Sequence, residues 1–512
     1  MYERWKPLSC FAGAEPYAAL RLGCATTVRE GDSPAGRDFP WSERHLRCVW
    51  LDPAYRPAPL TTHDGQTVTV ENPGRWNLEA GPDFLDAVLK VEPGERRIRG
   101  DVELHIRPAD WRNHGHTDDP RYRRVIAHVT YFEGTIPSSE LPGGAIQIAF
   151  QNALKRIPSF SFDSLDVLAY PYARVESRPP CAEVLALWNP DHAGALLDAA
   201  GLERIRHKTE HLALAIRDRG PEQALYEEIL RALGYKNNRA ACRTLASRIP
   251  VEALRNAADN NVLSAYALLG GVAGLIPDRS RPNWDQETRQ FLRNLWDIWW
   301  KQQSAWETQI LNRELWMLHN LRPQNHPLRR LMAAAELFCG PSPLMKQLQA
   351  VAGAANPTAG PIIDLLTATG LNSHWAWHHS LSSPRLAKPL ALIGPGRAAA
   401  LLNNVIAPWM AVMYPDAPNI TAILQNLPPE DDNRFIRHTA HALFGHDHNP
   451  ALYRSGLRQQ GLLQIFHDFC LNSREGCGAC SLPLALERQQ PGQINRPDQA
   501  PHQKKYEAVA ST

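Results

Sequence analysis

Uninterrupted apolar stretches are short throughout this 512-residue chain, and none approaches the roughly 18 residues a membrane-spanning helix needs. The opening residues, MYERWKPLSCFAGAEP, lack the basic-then-apolar order of a secretory signal, so a cytoplasmic location is expected. Excess charge is lacking too. Lys and Arg number 55 against 53 Asp and Glu, a formal net charge of +2. No global field therefore draws the chain onto a polyanion, and any nucleic-acid site must be a local patch. No Gly-x-Ser-x-Gly elbow appears, and IGPGRAAALL (Ile393–Leu402) has neither the spacing nor the lysine of a phosphate loop. Serine-hydrolase and nucleotide-loop chemistries lose their usual signals.

What is present describes a large globular protein. The length implies two or three domains. The 42 prolines and 32 glycines are spread through the chain and point to many loops. Residues 1–40 show little periodicity and are expected to be extended. In SERHLRCVWLD, Ser42 can cap a helix whose Leu46, Val49 and Trp50 share a face. From Leu60 to Leu168 short β-rich runs (TVTV, FLDAVLKV, IRGDVELHI, RVIAHVTYF, GAIQIAF) alternate with Pro/Gly turns. Beyond Pro180, apolar residues recur every three or four positions. The expected class is α+β: a β-rich α/β domain over 41–180, then a larger all-helical region over 181–465 in one or two subdomains. A cysteine cluster over 466–486 and a polar, disordered tail over 487–512 follow.

The stretch GPDFLDAVLKVEPGERRIRGDVELHI (Gly81–Ile106) holds the first candidate site. EPGE is a reversal signal, because Pro presets the first turn position and Gly accepts positive φ. Folding there sets Asp83 opposite Leu104, with Glu103 and His105 beside it on one strand face. Two carboxylates so close repel unless one is protonated or a cation lies between them. Mg²⁺ or Mn²⁺ on Asp83 and Glu103 satisfies them, with His105 orienting or deprotonating water. The order Asp, hairpin, Glu-x-His resembles the PD-(D/E)xK nuclease superfamily over residues 82–105, with His105 where that pattern has lysine. The resemblance implies a restriction-endonuclease-like fold, a nuclease activity and a further acid on the preceding helix, for which Glu43 is the candidate.

DWRNHGHTDDPRYRRVIAHV (Asp110–Val129) follows at once, and its DDPRYRRV stretch suits a helical turn. His114, His116, Arg112 and Tyr122 are expected to touch substrate. Alternatively, the two histidines complete a zinc shell, or they bond the loop backbone while Trp111 plugs the domain edge. Arg112, Arg121, Arg123 and Arg124 make a local basic patch suited to phosphate. At the other end, FHDFCLNSREGCGACSLP places Cys470, Cys477 and Cys480 at C-x6-C-x2-C. Zinc is the expected occupant, with His467 one helical turn earlier, or remote Cys339, as fourth ligand. An iron–sulfur cluster is the rival. The spacing resembles part of the four-cysteine loop of some helix-hairpin-helix DNA glycosylases, whose last cysteine falls where this chain has Leu486. It also resembles nucleases that add one distant cysteine. The six other cysteines (Cys10, Cys24, Cys48, Cys181, Cys242, Cys339) lie scattered and read as reduced thiols.

In the helical region, Pro327 of RPQNHPLRRL begins a helix whose Arg322, His326, Arg329 and Arg330 form a solvated basic face or an anion site. Trp375 and Trp377 of HWAWHHS are expected to fill core. Taken in order, DGQTVTVENPG, AGPDF, DW…HGH, ALGYKNN, RPQNHPLRRL, HWAWHHS and the C-terminal cysteines resemble a bacterial family catalogued as domain of unknown function 2851. That likeness covers most of the chain and implies no activity. Three functions stay open: a metal-dependent nuclease, a non-catalytic nucleic-acid or protein binding module, and a zinc-dependent hydrolase of another substrate.

Overall fold

The computed structural model describes residues 9–25 and 41–489, apart from 79–80, 158–159, 163–164, 168–169, 171–178, 260, 279–282, 319–320, 355–357, 416–417, 432–433, 472–476 and 478–479. The expected disordered tail therefore falls almost wholly outside the described residues. The expected extended N-terminus is corrected: Ser9–Ala14 forms a 3₁₀ turn and Glu15–Ala25 a helix, α1. Tyr17, Leu20 and Cys24 fall on one face of α1 and are buried. That short stripe outweighs the lack of longer periodicity.

Helix α2 (Glu43–Leu51) starts at Ser42 as expected, with the Ser42 N–H donating to His45 Nδ1 (3.2 Å). Seven strands follow: β1 (Leu60–Thr61), β2 (Thr67–Asn72), β3 (Arg75–Trp76), β4 (Phe84–Glu92), β5 (Arg96–His105), β6 (Val125–Thr130) and β7 (Ile146–Ala149). Their order is β1-β2-β4-β5-β6-β7, with β3 on β4. The strands from β1 to β5 pair antiparallel, whereas β5-β6 and β6-β7 are parallel. A parallel pair needs a crossover. The histidine-rich segment provides the first one, through α3 (Asp110–Asn113) and 3₁₀ turns at His116–Asp118 and Pro120–Tyr122. Thr62 bridges Ile148, so the sheet curls until its two edges meet. Leu46, Val49 and Trp50 of α2 pack with Leu89, Val102 and Val129 of the sheet. The turn end of β5 is solvated, while Gly100–His105 is buried on both faces.

After α4 (Gln151–Lys155) and α5 (Pro180–Leu185) the chain is helical, built around the 30-residue α6 (Pro190–Arg219). Helix Gly456–Ile465 crosses α6 at glycines: a Cβ on Gly201 would stand 2.2 Å from Leu457 O, and one on Gly461 2.1 Å from Leu197 O. Backbone approach that close admits no side chain. This crossing, with α1 on α6, gathers both ends of the chain against one helix.

The expected solvated arginine face is corrected. Pro327 does start a helix (Pro327–Cys339), but Arg329 and Arg330 are buried. Arg329 donates to the carbonyls of His378 (3.0 Å), Leu390 (3.2 Å), Ala391 (3.1 Å) and Trp375. Arg330 reaches Leu392 O, Tyr235 OH (2.7 Å) and Asn325 Oδ1 (2.8 Å). Buried carbonyls need donors, and here they take guanidinium N–H groups instead of water. Trp375 fills core and Trp377 is half-buried beneath Arg385.

Candidate functional site

The hairpin reverses at Pro93–Gly94, with Gly94 at φ +103°. Pairs Val91↔Arg96, Val88↔Arg99 and Ala87↔Gly100 follow the register expected from that turn. A bulge then intervenes, with Asp86 at φ 59° and its N–H held by Asp101 Oδ1 (3.0 Å). The pairing resumes one residue displaced, at Phe84↔Val102. Asp83 therefore lies beside Glu103 rather than opposite Leu104. Its N–H donates to Glu103 Oε2 (2.9 Å), and its own Oδ2 accepts from the Leu104 N–H (3.0 Å). Asp83, Glu103 and His105 converge and are all buried.

The charge between the acids is met from within the chain. Arg47 Nε stands 2.6 Å from Asp83 Oδ1, and its Nη2 3.2 Å from Glu43 Oε2, one turn earlier on α2. Glu43 thus reaches the site through Arg47. The cation that two close acids require is a guanidinium, at Asp83. Glu103 faces imidazoles instead, with Oε1 3.5 Å from both His105 Nε2 and His116 Nε2.

Four histidines collect around it. Parallel pairing sets Glu103 level with His128, and His128 Nε2 is 2.9 Å from His105 Nδ1. The crossover brings His114 and His116 over the same face. His105 and His116 stack at 5.1 Å, and one ring nitrogen from each of His105, His114 and His116 lies within 4.8 Å of the others. His105 Nε2 is buried without a hydrogen bond. Burial pushes the His105 imidazolium well below its ordinary pKa, and His128, His116, His114 and Arg47 push it further. Burial, then His116, lowers His128 to about 3. Imidazoles converging on a carboxylate make a nitrogen-rich donor set of the kind that ligates zinc or manganese. If His105 Nδ1–H donates to His128, the tautomer presents the Nε2 lone pair to the cluster, as ligand histidines do.

Tyr122 is buried and stacks on His116 at 3.8 Å, with Trp111 edge-on to both rings. It backs the cluster rather than lining an entrance. Trp111 is buried against the histidines, its Nε1–H donating to Glu140 O (3.1 Å). The basic patch is largely compensated: Arg112 pairs with Glu140 (2.6 Å), Arg121 with Asp119 (2.5 Å) and Arg124 with Asp86 (2.8 Å). His114 is half-buried, the most open of the imidazoles.

Two features escaped sequence reasoning. Arg47 carried a signal, its i,i+4 spacing from Glu43. A second imidazole–carboxylate group, Glu287, His374 and His378, also brings its ligand atoms within 4.8 Å. There His378 Nε2 meets Asp285 Oδ2 (3.0 Å), Glu287 holds Arg385 (2.5 Å), and His374 stacks on Phe291 (4.2 Å). At the far end of the chain, His467 and Cys470 lie on a π-helical turn, Phe466–Cys470. Cys477 and Cys480 are described, while most residues between the three cysteines are not.

No curated protein and no solved structure matches the chain. A family model does: "Protein of unknown function (DUF2851)" spans residues 43–433, from the acid at the head of α2 through the sheet and most of the helical region, and the chain belongs to that family.

Proposed function

We propose that this protein is a metal-dependent hydrolase of nucleic-acid phosphodiesters, its ion held by His105, His114 and His116 with Glu103. The observation that carries this reading is the convergence of three largely buried imidazoles within 4.8 Å beside a buried carboxylate. A bound ion of this class supplies Lewis acidity and lowers the pKa of water. The chain's own residues do the rest. His128 fixes the His105 tautomer, while Tyr122 and Trp111 hold His116 and its neighbours in place. Glu103, 3.5 Å from two rings, ligates or accepts a proton. Arg47 pairs with Asp83 (2.6 Å) and so occupies the carboxylate on the side of α2.

One observation favours a second reading, in which Asp83 and Glu103 hold Mg²⁺ or Mn²⁺ as in PD-(D/E)xK nucleases. Glu43, Arg47, Asp83 and Glu103 form a continuous chain of contacts, in the order that superfamily places its acids. That reading requires Arg47 to leave Asp83.

The test is cleavage of single- and double-stranded DNA and RNA by pure protein with Zn²⁺, Mn²⁺ or Mg²⁺ added. Wild type is expected to cleave with Zn²⁺ or Mn²⁺, His116→Ala to be inactive, and His128→Ala to lose roughly 10–100-fold in metal affinity. Activity that survives His116→Ala but disappears in Asp83→Ala transfers the ion to the carboxylates. No cleavage under any condition overturns the hydrolase reading in favour of a binding module.

A further inference from the structure

Away from the imidazole cluster of the sheet, the helical region brings together a second group of ligand side chains from two places in the chain. Asp285 caps helix Gln286–Trp306, its Oδ1 accepting the Thr288 N–H (2.7 Å), and Glu287 lies in the first turn of that helix. His374 and His378 are four residues apart, at the two ends of the short helix His374–Trp377. That spacing sets two imidazoles on one side of a helical turn. The two rings stack at 4.1 Å, and one ligand atom from each of Glu287, His374 and His378 lies within 4.8 Å of the others.

The contacts within the chain account for all but one of these side chains. His378 is buried, with Nε2 3.0 Å from Asp285 Oδ2 and Nδ1 3.3 Å from His374 O. Glu287 is exposed and meets Arg385 Nη1 with both oxygens (2.5 and 2.6 Å). His374 stacks on Phe291 (4.2 Å) as well as on His378, but both its ring nitrogens are buried with no hydrogen-bond partner among the described residues. An imidazole always has a polar nitrogen to satisfy, and burying it unpaired is unfavourable. If packing were its only role, a phenyl ring would fill position 374 better.

We propose that Glu287, His374 and His378 bind a divalent transition ion, zinc the best matched, that clamps the 374–378 turn to the head of helix Gln286–Trp306. Two imidazoles and a carboxylate are a zinc donor set. Ligands around tetrahedral zinc stand roughly 3.4 Å apart, so three atoms within 4.8 Å of one another close by roughly 1.4 Å at most. Asp285, on one nitrogen of His378, is a positioning residue of the kind that orients ligand histidines. Glu287 gives one oxygen to the ion and keeps Arg385 on the other. Its exposure is the way in, and buried His378 is the inner end. The same turn is tied to helix Pro327–Cys339, whose Arg329 takes the Trp375 and His378 carbonyls, so the ion completes a junction of three helices. The site shares no residue with the sheet cluster and is independent of the hydrolase reading.

The experiment measures zinc on full-length protein that is first stripped by a chelator and carries His116→Ala to disable the sheet cluster. Elemental analysis after reloading counts the ions, and competition with a chromophoric chelator gives the affinity. In that background His374→Phe and Glu287→Gln are each expected to lose one zinc per chain. His374→Phe keeps a ring against Phe291 and Glu287 is exposed, so neither change empties a core. Cobalt(II) in the same site is expected to show a visible d–d band without thiolate charge transfer, which separates it from cysteine-bound metal, and the band should vanish in both variants. Asp285→Asn preserves the helix cap and should weaken zinc roughly 10–100-fold. Arg385→Met breaks the same ion pair as Glu287→Gln but spares the ligand, and should retain the zinc. An unchanged zinc count and cobalt spectrum in His374→Phe or Glu287→Gln, or zinc lost from Arg385→Met but kept by Glu287→Gln, overturns the proposal. If His116→Ala does not fold, the wild-type chain takes its place, and the loss of one of its zinc ions in His374→Phe is the same readout.

Discussion

Replacing Arg47 by methionine keeps most of the stem and removes only the charged head, and it isolates the pairing beneath the candidate site. Asp83 is 1 % exposed and Arg47 13 %, so the substitution leaves a carboxylate buried with its Leu104 N–H bond but no counter-charge. Breaking a buried pair from one side costs about 3–5 kcal/mol. The remaining N–H bond and the partial exposure of Arg47 place this one near about 3 kcal/mol. For a domain of this size each kcal/mol moves the melting temperature by roughly 2–4 °C, so the sheet domain should melt roughly 6–12 °C lower. Arg47→Met combined with Asp83→Asn, which discards both charges, should recover most of the loss. Thermal denaturation followed by sheet circular dichroism in chelated buffer measures all three proteins. A shift under about 2 °C for the single variant, or a double variant no better than the single, would refute the claim that Arg47 is the structural counter-ion of Asp83. Recovery of the single variant by Mn²⁺ would show instead that the carboxylates accept a divalent ion.

The histidine cluster also makes stability depend on pH. Both His105 and His128 have folded pKa values below that of the unfolded chain, about 3 for His128, so their contribution is complete above the unfolded value of about 6.5. It drains away as pH falls below that value, by about 1.4 kcal/mol per pH unit for each ring. Metal-free melts near pH 7.5 and pH 5.5 should separate by several degrees, and His128→Gln should narrow the gap; equal melting temperatures contradict the buried neutral rings. At the helix crossing, Gly201→Ala drives a methyl into Leu457 O, a contact of 2.2 Å, and should cost about 1–3 kcal/mol. Gly23→Ala on α1 meets nothing within 4 Å and should be neutral by the same denaturant titration.

The hairpin was readable from residue order because its information is local. A Pro–Gly reversal and two alternating strands constrain their own neighbours, and Ser42 with its helical stripe likewise states where α2 begins. The register slip at Asp86 was not readable, since a bulge depends on Asp101 capping it from the partner strand. Reading Arg329 and Arg330 as a solvated face failed for a related reason. Nothing near them in sequence reveals that the carbonyls of His378, Leu390 and Ala391 will be folded over them. The short stripe of α1 was legible in principle, but it covers too few turns to stand out from proline-dotted surroundings.

Sequence pattern and turn chemistry were sufficient for the class of the molecule and for the meeting of Asp83, Glu103 and His105. The class follows from spacings of a few residues, and the meeting of Asp83 with Glu103, 20 positions on, follows from a single local reversal at Pro93–Gly94, where covalent geometry limits what the backbone can do. Tertiary structure alone decided that Arg47 pairs with Asp83, that parallel pairing delivers His128 to His105, and that the Gly456–Ile465 helix meets α6 at Gly201. Those partners are tens to hundreds of residues apart along the chain, and only the packing of helices on the sheet and on one another selects them.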